Sequence, residues 1–160
     1  MNWAEIKTND IANGEGVRTS LFVSGCRHHC KNCFNEITWD FSYGHLFTEE
    51  TMEDIFKSVD HSWINGISLL GGEPFEPENQ KVLVPFLVMF HEKFPDKTVW
   101  CYTGFTLEQI LGCTEEKSRA ATDISKEKSQ QKSKKSFLPV LPMYFSISIP
   151  MDLPWFLTEA

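Results

Sequence analysis

The chain has 160 residues, the size of one domain, and at 41% hydrophobic and 23% charged it carries enough apolar material for a core. A formal charge of −7, from 15 basic and 22 acidic residues, argues against a general nucleic-acid binder, because such a surface repels phosphates. Apolar runs stay short of the roughly 18 residues that a membrane helix needs, and Met1-Asn2-Trp3-Ala4-Glu5 lacks a secretory pattern, so a cytoplasmic protein without membrane partners is expected.

Residues 19–24 predict a strand that Gly25 ends. Residues 48–60 predict a helix capped by Thr48, with Met52, Ile55, Phe56 and Val59 on one face. Residues 67–70 read as a short buried strand running into Gly71-Gly72. Residues 78–93 read as a helix that kinks or restarts at Pro85. Residues 98–103 predict another strand, closed by Gly104, and a further helix starts at Thr106. Strands alternating with helices imply βαβ units, hence an α/β fold with a parallel sheet. Such sheets place chemistry at the carboxyl ends of their strands. A cysteine loop, Gly71-Gly72-Glu73-Pro74 and Thr103-Gly104 each follow a predicted strand, so the three are expected to converge.

Composition divides the chain into a core at 1–113, a polar Ser/Lys-rich segment at 114–136 and an apolar, proline-rich tail at 137–160. The middle segment has too little apolar surface to order itself and reads as a disordered linker, its 126–135 lysine run solvated. Pro139, Pro142, Pro150 and Pro154 forbid a long helix or a central strand in the tail.

The five cysteines are an odd number, and in a reducing compartment they read as ligands or packed thiols rather than disulfides. Cys26, Cys30 and Cys33 form C-x3-C-x2-C, three thiols within eight residues. Structural zinc takes four ligands, and His28 or His29 would have to supply the fourth. An iron–sulfur cluster normally takes four thiolates, so three leave one iron open to an outside ligand. Both readings stand at this point. Cys101 reads as a packed strand thiol, Cys113 as incidental, and Trp39 and Trp100 as core residues. Arg18 reads as a strand end in solvent rather than a carboxylate holder, and His28 and His29 as solvated or lying behind the ligands. Glu73 is open between bonding its own turn and binding a ligand.

The cysteine spacing resembles the signature of the radical S-adenosylmethionine (SAM) superfamily, and Gly71-Gly72-Glu73-Pro74 resembles its SAM-binding element. Further likeness lies in Asp10-Ile11-Ala12-Asn13-Gly14-Glu15-Gly16-Val17-Arg18, Phe22 to Cys26, Cys30 to Asn35, Thr38-Trp39-Asp40, and Trp100 to Gly104. Together these resemble the anaerobic ribonucleoside-triphosphate reductase activating proteins, small glycyl-radical-enzyme activases, over about residues 1–112.

The resemblance implies a partial (βα) barrel. It implies a 4Fe-4S cluster on Cys26, Cys30 and Cys33. Asn32, Cys33, Phe34, Gly71, Gly72 and Glu73 would line SAM. An electron donor such as a flavodoxin would reduce the cluster, SAM would be cleaved to methionine and a 5′-deoxyadenosyl radical, and that radical would take a hydrogen from a glycine of the reductase. An activase of the pyruvate formate-lyase type and a non-catalytic metal-binding module are the alternatives.

The family's further strand with an Asp-Gly-Pro-Phe-like element, and its Arg-Gly-Ser and Asn-Gln-Arg-like tail, have no counterpart after residue 113. Read one frame over, Pro150-Met151-Asp152-Leu153 as CCG-ATG-GAC-CTN spells Asp-Gly-Pro, as a frameshifted, inactive remnant would. On that reading the last strand of the sheet is missing or disordered.

Overall fold

A computed structural model describes residues 1–110 and 145–148. It divides into two units, Met1–Thr103 with Ser146–Ala160, and Gly104–Phe145. Of the second unit the described part holds one short helix, α3 (Leu107–Ile110). The expected linker, Cys113 and most of the expected tail lie outside the described residues.

The first unit is α/β. Its elements are β1 (Asn2–Asp10), β2 (Val17–Val23), a 3-10 turn (Glu36–Trp39), β3 (His45–Leu46), α1 (Glu49–Val59), β4 (Ile64–Gly71), α2 (Pro77–Lys93) and β5 (Thr98–Thr103). A last strand, β6, occupies Phe145–Ser148. Among the described residues these strands form one six-stranded sheet in the order β3-β1-β2-β4-β5-β6. No helix among them is long and apolar enough to cross a membrane.

One expectation is corrected here. The sheet is mixed rather than wholly parallel: β2, β4 and β5 are parallel, but β1 runs antiparallel to both β2 and β3. β1 escaped the sequence reading because its exposed and half-buried residues give weak alternation, and pairing rather than pattern defines it. A further strand, β6, stands at the edge of the sheet next to β5.

Alternation sorts the parallel strands into two faces. Leu21, Val23, Ile67, Leu69, Val99 and Cys101 join Ile55, Phe56 and Val59 of α1 and Leu83, Phe86, Leu87 and Phe90 of α2 in one core. Phe56 stacks on Phe86 at 5.7 Å between ring centres. The opposite face carries Arg18, Ser20 and Phe22 of β2 beside Ser68 and Leu70 of β4, all buried. Burial on both faces is why β2 shows no polar–apolar alternation.

Thr48 caps α1 as expected, its hydroxyl accepting from Thr51 N. α2 is one helix from Pro77 to Lys93, so it does not restart at Pro85. Pro85 sits on the exposed side, where a carbonyl left without a donor can be hydrated. Leu83, Phe86, Leu87 and Phe90 bind both halves of the helix to the core.

Arg18 is not at a solvated strand end. It is 1% exposed. Its Nε donates to Ser68 Oγ at 2.8 Å, Nη1 to Thr98 Oγ1 at 2.9 Å and Glu15 O at 3.1 Å, and Nη2 to Ile67 O and Thr98 O, both at 2.7 Å. One side chain therefore cross-links the amino-terminal ends of β2, β4 and β5 and the loop that precedes β2. Burial lowers its pKa to about 10, which still leaves it charged at neutral pH.

Candidate functional site

The carboxyl ends of β2, β4 and β5 lie side by side, and the segments leaving them bond to one another. Gly72 N donates to Val23 O at 2.7 Å and Glu73 N to Gly25 O at 2.8 Å. Thr103 Oγ1, ending β5, donates to Glu73 Oε1 at 2.8 Å. The convergence expected from topology is what the geometry shows.

The cysteine loop is closed on itself. Gly25 N donates to Thr38 O at 2.8 Å and Cys26 N to Trp39 O at 3.2 Å, so the 3-10 turn returns to the loop's first residues. Inside it the chain curls through left-handed conformations at His29 and Asn32, with φ of 47° and 63°. Cys33 N donates to Cys30 O at 3.1 Å. Cys26 is buried, Cys33 half-buried and Cys30 exposed, all as free thiols. Burial pushes the Cys26 thiol up, with Glu73 and Cys30 adding to the rise. Asn32 is exposed, and Phe34 is 78% exposed on the outer side of the loop. His29 meets the edge of Trp39, which is half-buried rather than core, and Trp100, also half-buried, lies under Arg18.

Gly71 and Gly72 are explained locally. A Cβ on Gly71 would lie 2.7 Å from Val23 O, and one on Gly72 would lie 2.6 Å from Gly25 O and 3.0 Å from Thr38 O. The glycines let the end of β4 press backbone to backbone against the end of β2 and the root of the cysteine loop.

Glu73 bonds both its own turn and its neighbours. It is 1% exposed, accepts from Phe75 N at 2.9 Å as well as from Thr103, and its Oε2 lies 3.2 Å from His28 Nε2. His28 is thus drawn inward to Glu73, the second of its two expected placements. The sequence reading did not find Arg27, Glu76 and Asn79. Asn79, 1% exposed in the first turn of α2, donates to Ser24 O at 3.0 Å and Glu73 O at 2.9 Å, tying β2 and β4 to the helix. Arg27 reaches Glu76 and Glu78. The only available signal was a polar first turn directly after Gly71-Gly72-Glu73-Pro74.

Hydrogen bonds from Arg27 hold the Glu78 carboxyl down, from the ordinary 4.5 to about 2. A lowered carboxylate stabilises the fold above its unfolded pKa and loses that contribution as pH falls through the folded one. The Arg27–Glu78 bridge is therefore expected to stay intact on acidification to pH 4.5 and to open only towards pH 2. An NMR titration of the Glu78 carboxyl carbon with its midpoint near 4.5 would contradict this.

Among the described residues no three His, Cys, Asp or Glu side chains gather tightly enough to hold a single metal ion. The cysteine loop instead offers an all-thiol donor set, free of disulfides, at three positions of one loop. That chemistry fits an iron–sulfur cluster, whose thiolates sit on different irons.

Residues 12–136 match a family model described as a 4Fe-4S single cluster domain. An anaerobic ribonucleoside-triphosphate reductase-activating protein of Haemophilus influenzae is 39% identical over 112 residues, covering 69% of this chain and 72% of that protein. The protein of the same name from Pasteurella multocida is 40% identical over 116 residues, 71% and 73% of the two chains. That of enterobacteria phage T4 is 37% identical over 110 residues, 69% and 70%. No solved structure matches the chain.

Proposed function

The chain belongs to the 4Fe-4S single cluster domain family and to the anaerobic ribonucleoside-triphosphate reductase-activating proteins, and we propose from that premise that it generates the glycyl radical of such a reductase. The observation that carries the reading is the closed loop of three free thiols, bonded at its root to the Gly71-Gly72-Glu73 turn.

In this reading Cys26, Cys30 and Cys33 hold a 4Fe-4S cluster, and Gly71, Gly72, Glu73, Asn32 and Phe34 border SAM. When bound, the cluster and SAM would supply one-electron reductive cleavage of the sulfonium and, through it, hydrogen abstraction from a glycine of the partner. The protein's own part is positional. Gly25 and Thr38 close the loop, and Glu73 braces the turn beneath it. The mixed sheet would be the partial barrel of the radical SAM fold. A small reducing protein of the flavodoxin kind would deliver the electron, and the exposed Cys30 side of the loop is the natural point of approach.

The test is anaerobic reconstitution with iron and sulfide, followed by dithionite and SAM. Wild type is expected to bind about four irons and four sulfides per chain and to release 5′-deoxyadenosine. Cys30→Ala is expected to abolish that product. Addition of the reductase should then yield a glycyl radical by electron paramagnetic resonance, and a radical formed on pyruvate formate-lyase instead would reassign the partner. One tightly bound zinc and no cluster would overturn the reading in favour of a metal-binding module.

A further inference from the structure

We infer that Arg27 is a positioning residue, one that locks the main chain beside Cys26 to the first turn of α2. Glu76, the residue preceding α2, makes no side-chain bond to its own helix end. Its carboxylate, 4% exposed, turns to Arg27 instead. Glu76 Oε1 accepts from the backbone N–H of Arg27 at 2.8 Å, while Oε2 accepts from the guanidinium Nη1. Nη1 also donates to Glu78 Oε2 at 2.9 Å, and Nη2 donates to Glu78 Oε1. The guanidinium lies over the Phe41 ring, 4.4 Å from its centre. That ring in turn fills the space beside Gly25, whose φ is +97° and where a Cβ would lie 2.2 Å from Phe41 Cδ1.

An exposed ion pair alone contributes little, because water and salt screen it. This one differs in two respects. The inner carboxylate is buried, and it holds both the main chain and the side chain of one residue. Rotation of the peptide that follows Cys26 therefore breaks bonds at two points. Lysine, with a single ammonium group, cannot fork between two carboxylates while covering an aromatic ring. Arg27 touches neither thiol nor cofactor in this account; it acts through Cys26.

The importance of Cys26 rests on the cluster reading, so the experiment begins on the apoprotein, where the two separate. Anaerobic alkylation with iodoacetamide, mapped by peptide, is expected to label Cys30 fast and both Cys26 and Cys101 slowly, because Cys30 is exposed whereas Cys26 and Cys101 are buried. In Arg27→Ala the Cys26 rate is expected to rise about tenfold with Cys101 unchanged, as local rather than global opening requires. Arg27→Lys should fall between.

An unchanged Cys26 rate, or Cys26 and Cys101 rising together, would overturn the inference. On the reconstituted protein, Arg27→Ala is expected to surrender iron to a chelator about tenfold faster, the scale on which residues behind metal ligands act. Release at the wild-type rate would also overturn it. Wild type that takes up no iron and sulfide defeats the cluster reading alone, since the alkylation rates still decide the role of Arg27.

Discussion

Arg18→Ala is expected to lower the stability of the apoprotein by about 3–5 kcal/mol, the range seen when a large buried side chain is cut back to alanine. Two effects add. The buried acceptors Ser68 Oγ and Ile67 O lose their donor and are penalised, whereas the Thr98 oxygens are nearer solvent. The side chain is also among the largest fully buried ones, so its removal leaves a cavity between sheet and loop. Against a typical total of about 5–15 kcal/mol this is a large fraction. A thermal melt should show the midpoint falling by more than about 12 °C. Arg18→Lys should recover only part, since one ammonium cannot span three strands. A loss under about 1 kcal/mol would show that the cross-link is not what joins the amino-terminal strand ends.

Gly72→Ala is expected to damage the site more than the fold. Its Cβ would press on Gly25 O and Thr38 O, both backbone atoms that cannot swing aside. Overpacking of this kind typically destabilises by about 1–3 kcal/mol, which a domain of this size survives. The relief must come from separation of the Gly71-Gly72-Glu73 turn and the root of the cysteine loop. A displacement near 1 Å between positioned groups is enough for a roughly 100-fold loss of rate. The expected outcome is therefore a folded protein, its far-ultraviolet circular dichroism like wild type, with 5′-deoxyadenosine formation down about 100-fold. Undiminished product formation would mean that the two loops need not touch for chemistry.

Both predictions bear on what was legible beforehand. The α1 helix was readable because capping and spacing are local: Thr48 bonds a residue three positions on. β5 was readable for the same reason, as a short β-branched and aromatic run ended by glycine. The cysteine triad was readable because three thiols within one loop need no tertiary knowledge to be recognised. β1 was not, since half its residues face solvent and only the partner strand defines it. That Pro85 does not end the helix was not legible, because propensity weighs the missing hydrogen bond, whereas packing of the flanking Leu83 and Phe86 outweighs it. Arg18 misled because nothing in Gly16-Val17-Arg18 tells that the side chain folds back under Ser68 and Thr98.

Taken alone, the amino-acid order determined the α/β class, the main helices, the parallel strands and the thiols that mark the site. Those features depend on residues within about one or two turns of one another, where steric preference and period act directly. The tertiary structure decided the mixed sheet, the inward turn of Glu73 and His28, and the bracket of Arg27 by Glu76. The bonded partners there stand 30 residues apart at Thr103 and Glu73, and 49 apart at Arg27 and Glu76. Pairings at that distance arise only when strands and helices pack, because a buried polar group takes whichever partner the packing brings within reach.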